Sequence, residues 1–279
     1  MTQTLYATLL TDGFLFGEGP RWHESRLWFT DGPAGAVKTV DRTGKIEIAV
    51  ESAHASGLGW LPDGTLVISA LQEARLDYCD ANGALVTQDL SDHGWSTNDM
   101  VVSPDGKIYV DVYRLNEEGI SGEVALVTLD REVRVVTSGF TLPNGLAITA
   151  DGSTLIASDT LADRLVAFTI EPDGSLTDQR VFAELGAGQH PDGLCLDAEG
   201  AAWVGCYDSE VFLRVLEGGE ITHRIETGGG WAVAPALGGT DRCTLYLIIN
   251  TTTHEGVVTG ESTGRIEKVR VDVPGAGWP

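Results

Sequence analysis

Hydrophobic and polar positions along this chain fall into short runs broken by turn signals, and one unit recurs. Its clearest copy is residues 141–159, TLPNGLAITADGSTLIASD. Leu146, Ala147 and Ile148 form an apolar run, Asp151-Gly152 marks a hairpin turn, and Leu155, Ile156 and Ala157 form the returning run. Gly in such a turn accepts positive φ at no steric cost. Asn144 stands directly before the first run, where a buried strand has no need of a polar residue.

Residues 5–10 read as a lone strand before the first copy. Glu18-Gly19-Pro20-Arg21-Trp22 then leads through a turn near His23-Glu24-Ser25 into a strand at 26–30. Ser56-Gly57-Leu58-Gly59-Trp60 is followed by Pro62-Asp63-Gly64 and a strand at 65–69. Asn98-Asp99-Met100-Val101-Val102 is followed by Pro104-Asp105-Gly106 and a strand at 107–110. Asp192-Gly193-Leu194-Cys195-Leu196 is followed by Ala198-Glu199-Gly200 and a strand at 201–204. A degraded sixth copy runs from Gly230-Trp231-Ala232-Val233 through Gly238-Gly239 to residues 244–248.

Positions 18, 56, 98, 144, 192 and 230 are spaced by 38, 42, 46, 48 and 38 residues. Further strand-like segments lie at 37–40, 45–50, 124–129, 133–137, 165–170, 211–215 and 266–273. Each unit therefore has room for about four strands, the size of a propeller blade. No 3.6-residue apolar periodicity is sustained, so few or no helices are expected. Residues 171–175 read as a hairpin turn and 186–191 as a loop, and no Pro/Ser-rich linker divides the chain. The prediction is an all-β fold, a six-bladed β-propeller forming one domain over residues 1–279. Pairing of residues 5–10 with 266–273 would close the ring and remove its exposed edges. A β-sandwich with similar hairpins is the alternative.

Composition agrees with this picture. Of 279 residues, 42% are hydrophobic and 21% charged, as in globular proteins, and the 35 Gly suit a turn-rich chain. The formal net charge of −23 disfavours nucleic acid and anionic membranes as partners. Cys79, Cys195, Cys206 and Cys243 show no CxxC spacing, so buried free thiols are expected. The N-terminus lacks a basic, apolar leader and no apolar run reaches transmembrane length, so no signal peptide or membrane span is expected and the cytoplasm is the default location. The partner expected is a small-molecule substrate; composition is silent on oligomeric state.

In a propeller the innermost strands line one central channel, so equivalent repeat positions converge at its mouth. Those positions read Glu18, Ser56, Asn98, Asn144, Asp192 and Gly230. Two carboxylates buried together are costly unless a cation compensates. Oxygen-only donors favour Ca²⁺, Mg²⁺ or Mn²⁺ over a dedicated zinc site. Taken singly, Asn98 or Asn144 could cap a turn and Glu18 could be a solvated turn residue.

In order along the chain, Glu18-Gly19-Pro20 before Trp22, Asn98-Asp99, Pro143-Asn144-Gly145-Leu146, Pro191-Asp192-Gly193-Leu194, and Gly238-Gly239 before Thr244-Leu245-Tyr246 resemble the SMP-30/gluconolactonase/luciferin-regenerating-enzyme family. The resemblance spans nearly the whole chain. It implies a six-bladed propeller with one axial divalent cation, Ca²⁺ ahead of Mg²⁺, Mn²⁺ or Zn²⁺, held by Glu18, Asn144 and Asp192. Asn98 would bind the cation or contact substrate. Many members hydrolyse lactones. Where sugar-lactonase members carry an arginine this chain has Ser96, and Asn116 stands at a position that is often glutamate. Trp95, Tyr113, His190 and Trp231 are expected near the same mouth, making it more aromatic than a sugar site. His190 is a candidate proton shuttle and His254 a second one. Asp111 and Asp159 end second strands and are read as turn or channel-lining residues.

The expected activity is divalent-metal-dependent hydrolysis of a small lactone other than a typical sugar lactone, by attack of metal-activated water. Asp192 would be the catalytic base, and Asn98, Ser96, Trp95, Tyr113, Asn116 and His190 would contact substrate. Phosphoester or organophosphate hydrolysis, or a lyase or isomerase step, would use the same site. A non-catalytic Ca²⁺-binding scaffold is the rival of another class.

Overall fold

Each hairpin read from the repeat forms the inner half of a four-stranded antiparallel sheet. The structure, a computed structural model, describes residues 2–71, 73–117 and 119–276. The six innermost strands are Gly17–His23, Ala55–Trp60, Ser96–Val102, Pro143–Ile148, Pro191–Leu196 and Trp231–Gly238. Each packs against the next, and the sixth packs against the first. The fold is a closed six-bladed β-propeller, with blades numbered here in that order. The cores lie between neighbouring blades; Val101, Tyr109 and Leu126 of blade three, for example, pack on Leu146, Leu155 and Phe168 of blade four.

Both ends of the chain close the ring, with a shift from the expected register. Thr8–Phe14 pairs antiparallel with Thr263–Arg270 as the outer strand of blade six. The preceding residues are drawn elsewhere. Gln3–Thr4 pairs parallel with Ile221–Glu226 of blade five, and the Leu5 amide donates to Arg224 O at 2.9 Å. The N-terminal segment thus staples blade five to blade six.

The strands that sequence reasoning passed over are mostly outermost ones. Leu85–Asp89, Leu176–Glu184 and Ile221–Glu226 are largely exposed and carry little apolar signal. Arg75–Cys79 is buried but interrupted by Arg75 and Asp77, which pair with each other at 3.3 Å. One α-helix, α1 (His254–Thr259), is seen among the described residues, its start capped by Thr253 Oγ1 accepting from the Gly256 amide at 2.9 Å. No helix among them is long and apolar enough to cross a membrane. All four cysteines are free; Cys79 and Cys206 are buried, Cys195 and Cys243 half-buried.

A β-bulge interrupts every innermost strand at the same height. The register slips between Ala55 and Leu58, Thr97 and Met100, Pro143 and Leu146, and Pro191 and Leu194. Ser56, Asn98, Asn144 and Asp192 therefore sit in bulges, which free a residue from the ladder and re-aim its side chain. In blade one the slip follows Glu18, and in blade six it falls at Val233. The bulge also brings each strand against the next blade. A Cβ on Gly145 would lie 2.4 Å from Asp192 O and 2.7 Å from the Gly193 Cα, which explains the Asn-Gly pair.

Gly145→Ala is accordingly expected to lower stability by about 1–3 kcal/mol through overpacking against a backbone that cannot move aside. Urea denaturation of the two proteins measures it; an unchanged midpoint would show that the blade contact is loose.

Candidate active site

One end of the channel opens into a pocket of about 250 Å³ with Glu18, Asn98, Asn144 and Asp192 at its base. The structure thus brings together the four residues singled out at equivalent repeat positions. Ser56 Oγ donates to Asn98 Oδ1 at 3.0 Å, and Asn98 Nδ2 donates to Asn144 Oδ1 at 3.1 Å and to Asp111 Oδ2 at 3.2 Å. Asn144 Oδ1 also accepts from the Gly145 amide at 2.9 Å, and its amide group hydrogen-bonds Asp192. Both acceptor positions of Asn144 Oδ1 are thereby committed, so ligation by this atom requires one donor to let go.

Hydroxyls on second strands hold these bulges from the preceding blade. Thr30 Oγ1 donates to Ser56 O at 2.5 Å, Ser69 Oγ to Asn98 O, and Ser158 Oγ to Asp192 O at 2.7 Å. In blade three the matching position is Asp111, which is fully buried. Asp111 Oδ1 has no hydrogen-bond partner among the described residues, and neither has the buried Asp192 Oδ1.

The electrostatics follow from this packing. Burial pushes the Asp192 carboxyl well above the usual range, with Asp99 adding to it and Asn144 and the Gly193 amide pulling back. Burial likewise raises Glu18, reinforced by Asp192, Asp99 and Asp111. Asp111 is raised by burial and by Asp99, against the Asn98 amide. Arg21 is the one Lys or Arg on the described innermost strands. It pairs with Asp99 at 3.3 Å, with both side chains about nine-tenths buried, and donates to Met100 O at 2.7 Å. Deeper along the channel, Arg21 and residues 275–276 of the C-terminal segment leave only about 40 Å³ of space.

The rim is aromatic, though not composed as expected. Tyr113 and Trp231 line the pocket. Ser96 lies opposite Tyr113 in the ladder and hydrogen-bonds its hydroxyl. Trp95 is turned into the core between blades two and three, 6% exposed, because strand alternation sends it to the face opposite Ser96. Its indole donates to Glu123 Oε2 at 2.9 Å and stacks on His93. Asn116 stands exposed at the tip of the hairpin Ile108–Val127, beyond the pocket wall. His190 does not line the pocket either. Its Nδ1 lies 2.8 Å from Asp208 and its ring stacks on Tyr207. His254, at the start of α1, does line it, with its ring 4.9 Å from Trp231. Asp159 accepts from the Thr141 amide at 2.8 Å and from Arg164, fixing a loop rather than lining the channel.

The wall residues missed from sequence follow a rule of their own. Gly32, Leu71, Thr160 and Tyr207, like Tyr113, each stand one residue beyond the second-strand partner of the residue just before the polar position (Gly17, Ala55, Pro143, Pro191 and Thr97). Carrying the repeat alignment onto the second strands would have found them.

The SMP-30/Gluconolactonase/LRE-like region matches residues 16–252 of this chain. The chain belongs to the SMP-30/gluconolactonase/LRE family. It is 25% identical over 291 residues to a 6-deoxy-6-sulfogluconolactonase of Pseudomonas putida, covering 100% of this chain and 99% of the relative. It is 24% identical over 274 residues to a pentonolactonase of Haloferax volcanii, covering 94% and 92%. Among solved structures, regucalcin of Agrobacterium tumefaciens, titled a calcium-binding protein, superposes with a TM-score of 0.81 at 20% identity, covering 100% and 99%. A gluconolactonase of Xanthomonas campestris gives 0.74 at 22% identity, covering 94% and 89%. These two likenesses establish the fold. Within the family pattern, this chain's mouth has no Lys or Arg among the described lining residues.

Arg21→Met is expected to destabilise the protein by about 3–5 kcal/mol, because it leaves Asp99 buried and unpaired. Adding Asp99→Leu should restore most of the loss. Denaturant unfolding of the two single variants and the double variant decides it; a loss in the double variant equal to the sum of the two single losses would show that the pair carries no coupling.

Proposed function

We propose that this protein is a divalent-cation-dependent lactonase whose centre is built from Glu18, Asn144 and Asp192, with Asn98 beside them. The observation that carries this is the pair of buried carboxyls facing one pocket, with Asp192 Oδ1 lacking any partner among the described residues and no Lys or Arg among those lining the mouth. Such a donor set fits a hard cation, and fits it better than burial of two bare charges. Oxygen-only donors, and the calcium-binding title of the regucalcin neighbour, put Ca²⁺ first. The two lactonase relatives support the reaction.

Bound there, the cation supplies a Lewis acid to an ester carbonyl and to the oxyanion formed from it. The chain's own residues do the rest. Asp192 Oδ1 accepts the proton of the attacking water. Asn98, held by Ser56 and Asp111, orients the bound ring through its amide. His254 is the ring placed to return a proton to the leaving alkoxide, in place of His190. Access favours catalysis over a structural ion, since a pocket of about 250 Å³ leads to the carboxyls.

The test is a pH-stat screen of sugar, aliphatic and aromatic lactones on cation-stripped and reloaded protein. Stripped protein is expected to be inactive and Ca²⁺, Mg²⁺, Mn²⁺ or Zn²⁺ to restore it; activity indifferent to stripping would overturn the cation's role. Asp192→Asn should lower kcat at least about a hundredfold. Because burial disfavours the ionised carboxyl, the same change should leave the cation-free protein as stable as the parent at neutral pH or more so. A rate above about a tenth of the parent's would exclude Asp192 as the base.

A further inference from the structure

Beside the pocket over the carboxyls lies a second lobe of about 340 Å³. The two share Phe16, Glu18, Leu71 and Val257, so a molecule seated at Glu18 reaches into both. The lobe lies between α1 and the loops of blades one and two. It exists because the wall position of blade one is Gly32, where the following blades carry Leu71, Tyr113, Thr160 and Tyr207.

Its surface is carbon-rich, with Pro33 and Ala55 joining the shared Phe16, Leu71 and Val257. Its ionisable groups among the described residues are the shared Glu18 and His54, whose side chain is 61% exposed and lies 3.5 Å from Glu73. No described lining residue of either lobe is Lys or Arg. One polar atom is orphaned there: Ser262 is 8% exposed and its Oγ has no partner among the described residues.

We infer that this lobe holds an uncharged, mainly aliphatic arm of the substrate, so that the protein opens arm-bearing lactones in preference to small or polyhydroxylated ones. The inference rests on the lactonase reading and names its substrate class. A polyhydroxylated arm would lose water from several hydroxyls and find few side-chain partners beyond Glu18 and His54, namely the orphaned Ser262 Oγ and Thr259 Oγ1, which already donates to Glu255 O. An anionic arm would meet Glu18 and Asp192 with no Lys or Arg among the described lining residues to balance it. An aliphatic arm gains by leaving water, and a single oxygen on it could use Ser262.

The experiment uses the cation-loaded protein and γ-lactones whose alkyl arm lengthens from methyl to octyl. We expect kcat/KM to rise about three- to fourfold per methylene until the lobe is filled, then to level off. Thr259→Trp and Pro33→Trp, both at exposed positions on opposite walls, should each shrink the octyl-to-methyl ratio. That ratio is taken within each protein, so a general loss of activity does not imitate the effect. Equal kcat/KM for methyl and octyl lactones, faster opening of gluconolactone than of any alkyl lactone, or a ratio untouched by both substitutions would overturn the inference while the lactonase reading stands. If the loaded protein opens no lactone at all, that reading has failed and this one falls with it.

Discussion

Four carboxyl groups, Glu18, Asp99, Asp111 and Asp192, are folded into one end of the propeller axis, and one guanidinium, Arg21, is folded in with them. Arg21 is committed to Asp99. The remaining three acids face desolvation and one another, and all three are pushed toward their protonated forms. Hydrophobic packing between blades supplies the stability that lets such a cluster persist. A fold that gathers acids at a solvent-accessible point has two ways to relieve them, by protons or by a cation. A cation bound as proposed would displace the protons, and occupancy of the centre would then be coupled to pH.

The cluster is positioned by contacts that always run from one blade to the next. Thr30 holds the bulge carrying Ser56, Ser69 the bulge carrying Asn98, and Ser158 the bulge carrying Asp192. Glycine beside the polar residue lets the next blade's backbone approach, as Gly145 does toward Asp192. Each polar side chain is thus fixed by two blades, and the set is fixed only when the ring is closed. That gives the strands at the two ends of the chain a functional consequence despite their position on the outer surface.

The repeat made the propeller and its polar ring legible because both follow from one alignment of strand, bulge and turn. Outer strands were less legible because solvent on their faces removes the apolar alternation. Trp95 was misplaced because closeness in sequence to Ser96 says nothing about which face a strand residue takes. His190 drew attention as the neighbour of Pro191-Asp192, yet Asp163 and Asp208 hold it behind Tyr207. His254 reaches the pocket through α1, a segment outside the repeat and so without a register to place it. Arg21 had a signal that went unused, since a lone arginine among channel-lining strands needs a buried acid.

Two concentric rings therefore divide the work. The inner ring, at the bulges, is rich in oxygen donors and sets the chemistry. The outer ring, one residue past each ladder partner, reads Gly32, Leu71, Tyr113, Thr160 and Tyr207 and carries no charge. A change in the inner ring would alter the charge that the proposed cation balances. A change in the outer ring alters only shape, so it can redirect specificity without disturbing the centre. Gly32 is the extreme case: by contributing no side chain it opens a lobe beside Glu18, and α1 covers that lobe from blade six. On the lactonase reading, substrate preference would then be set less by the one missing arginine at Ser96 than by the sizes of five wall residues and the one helix laid beside them.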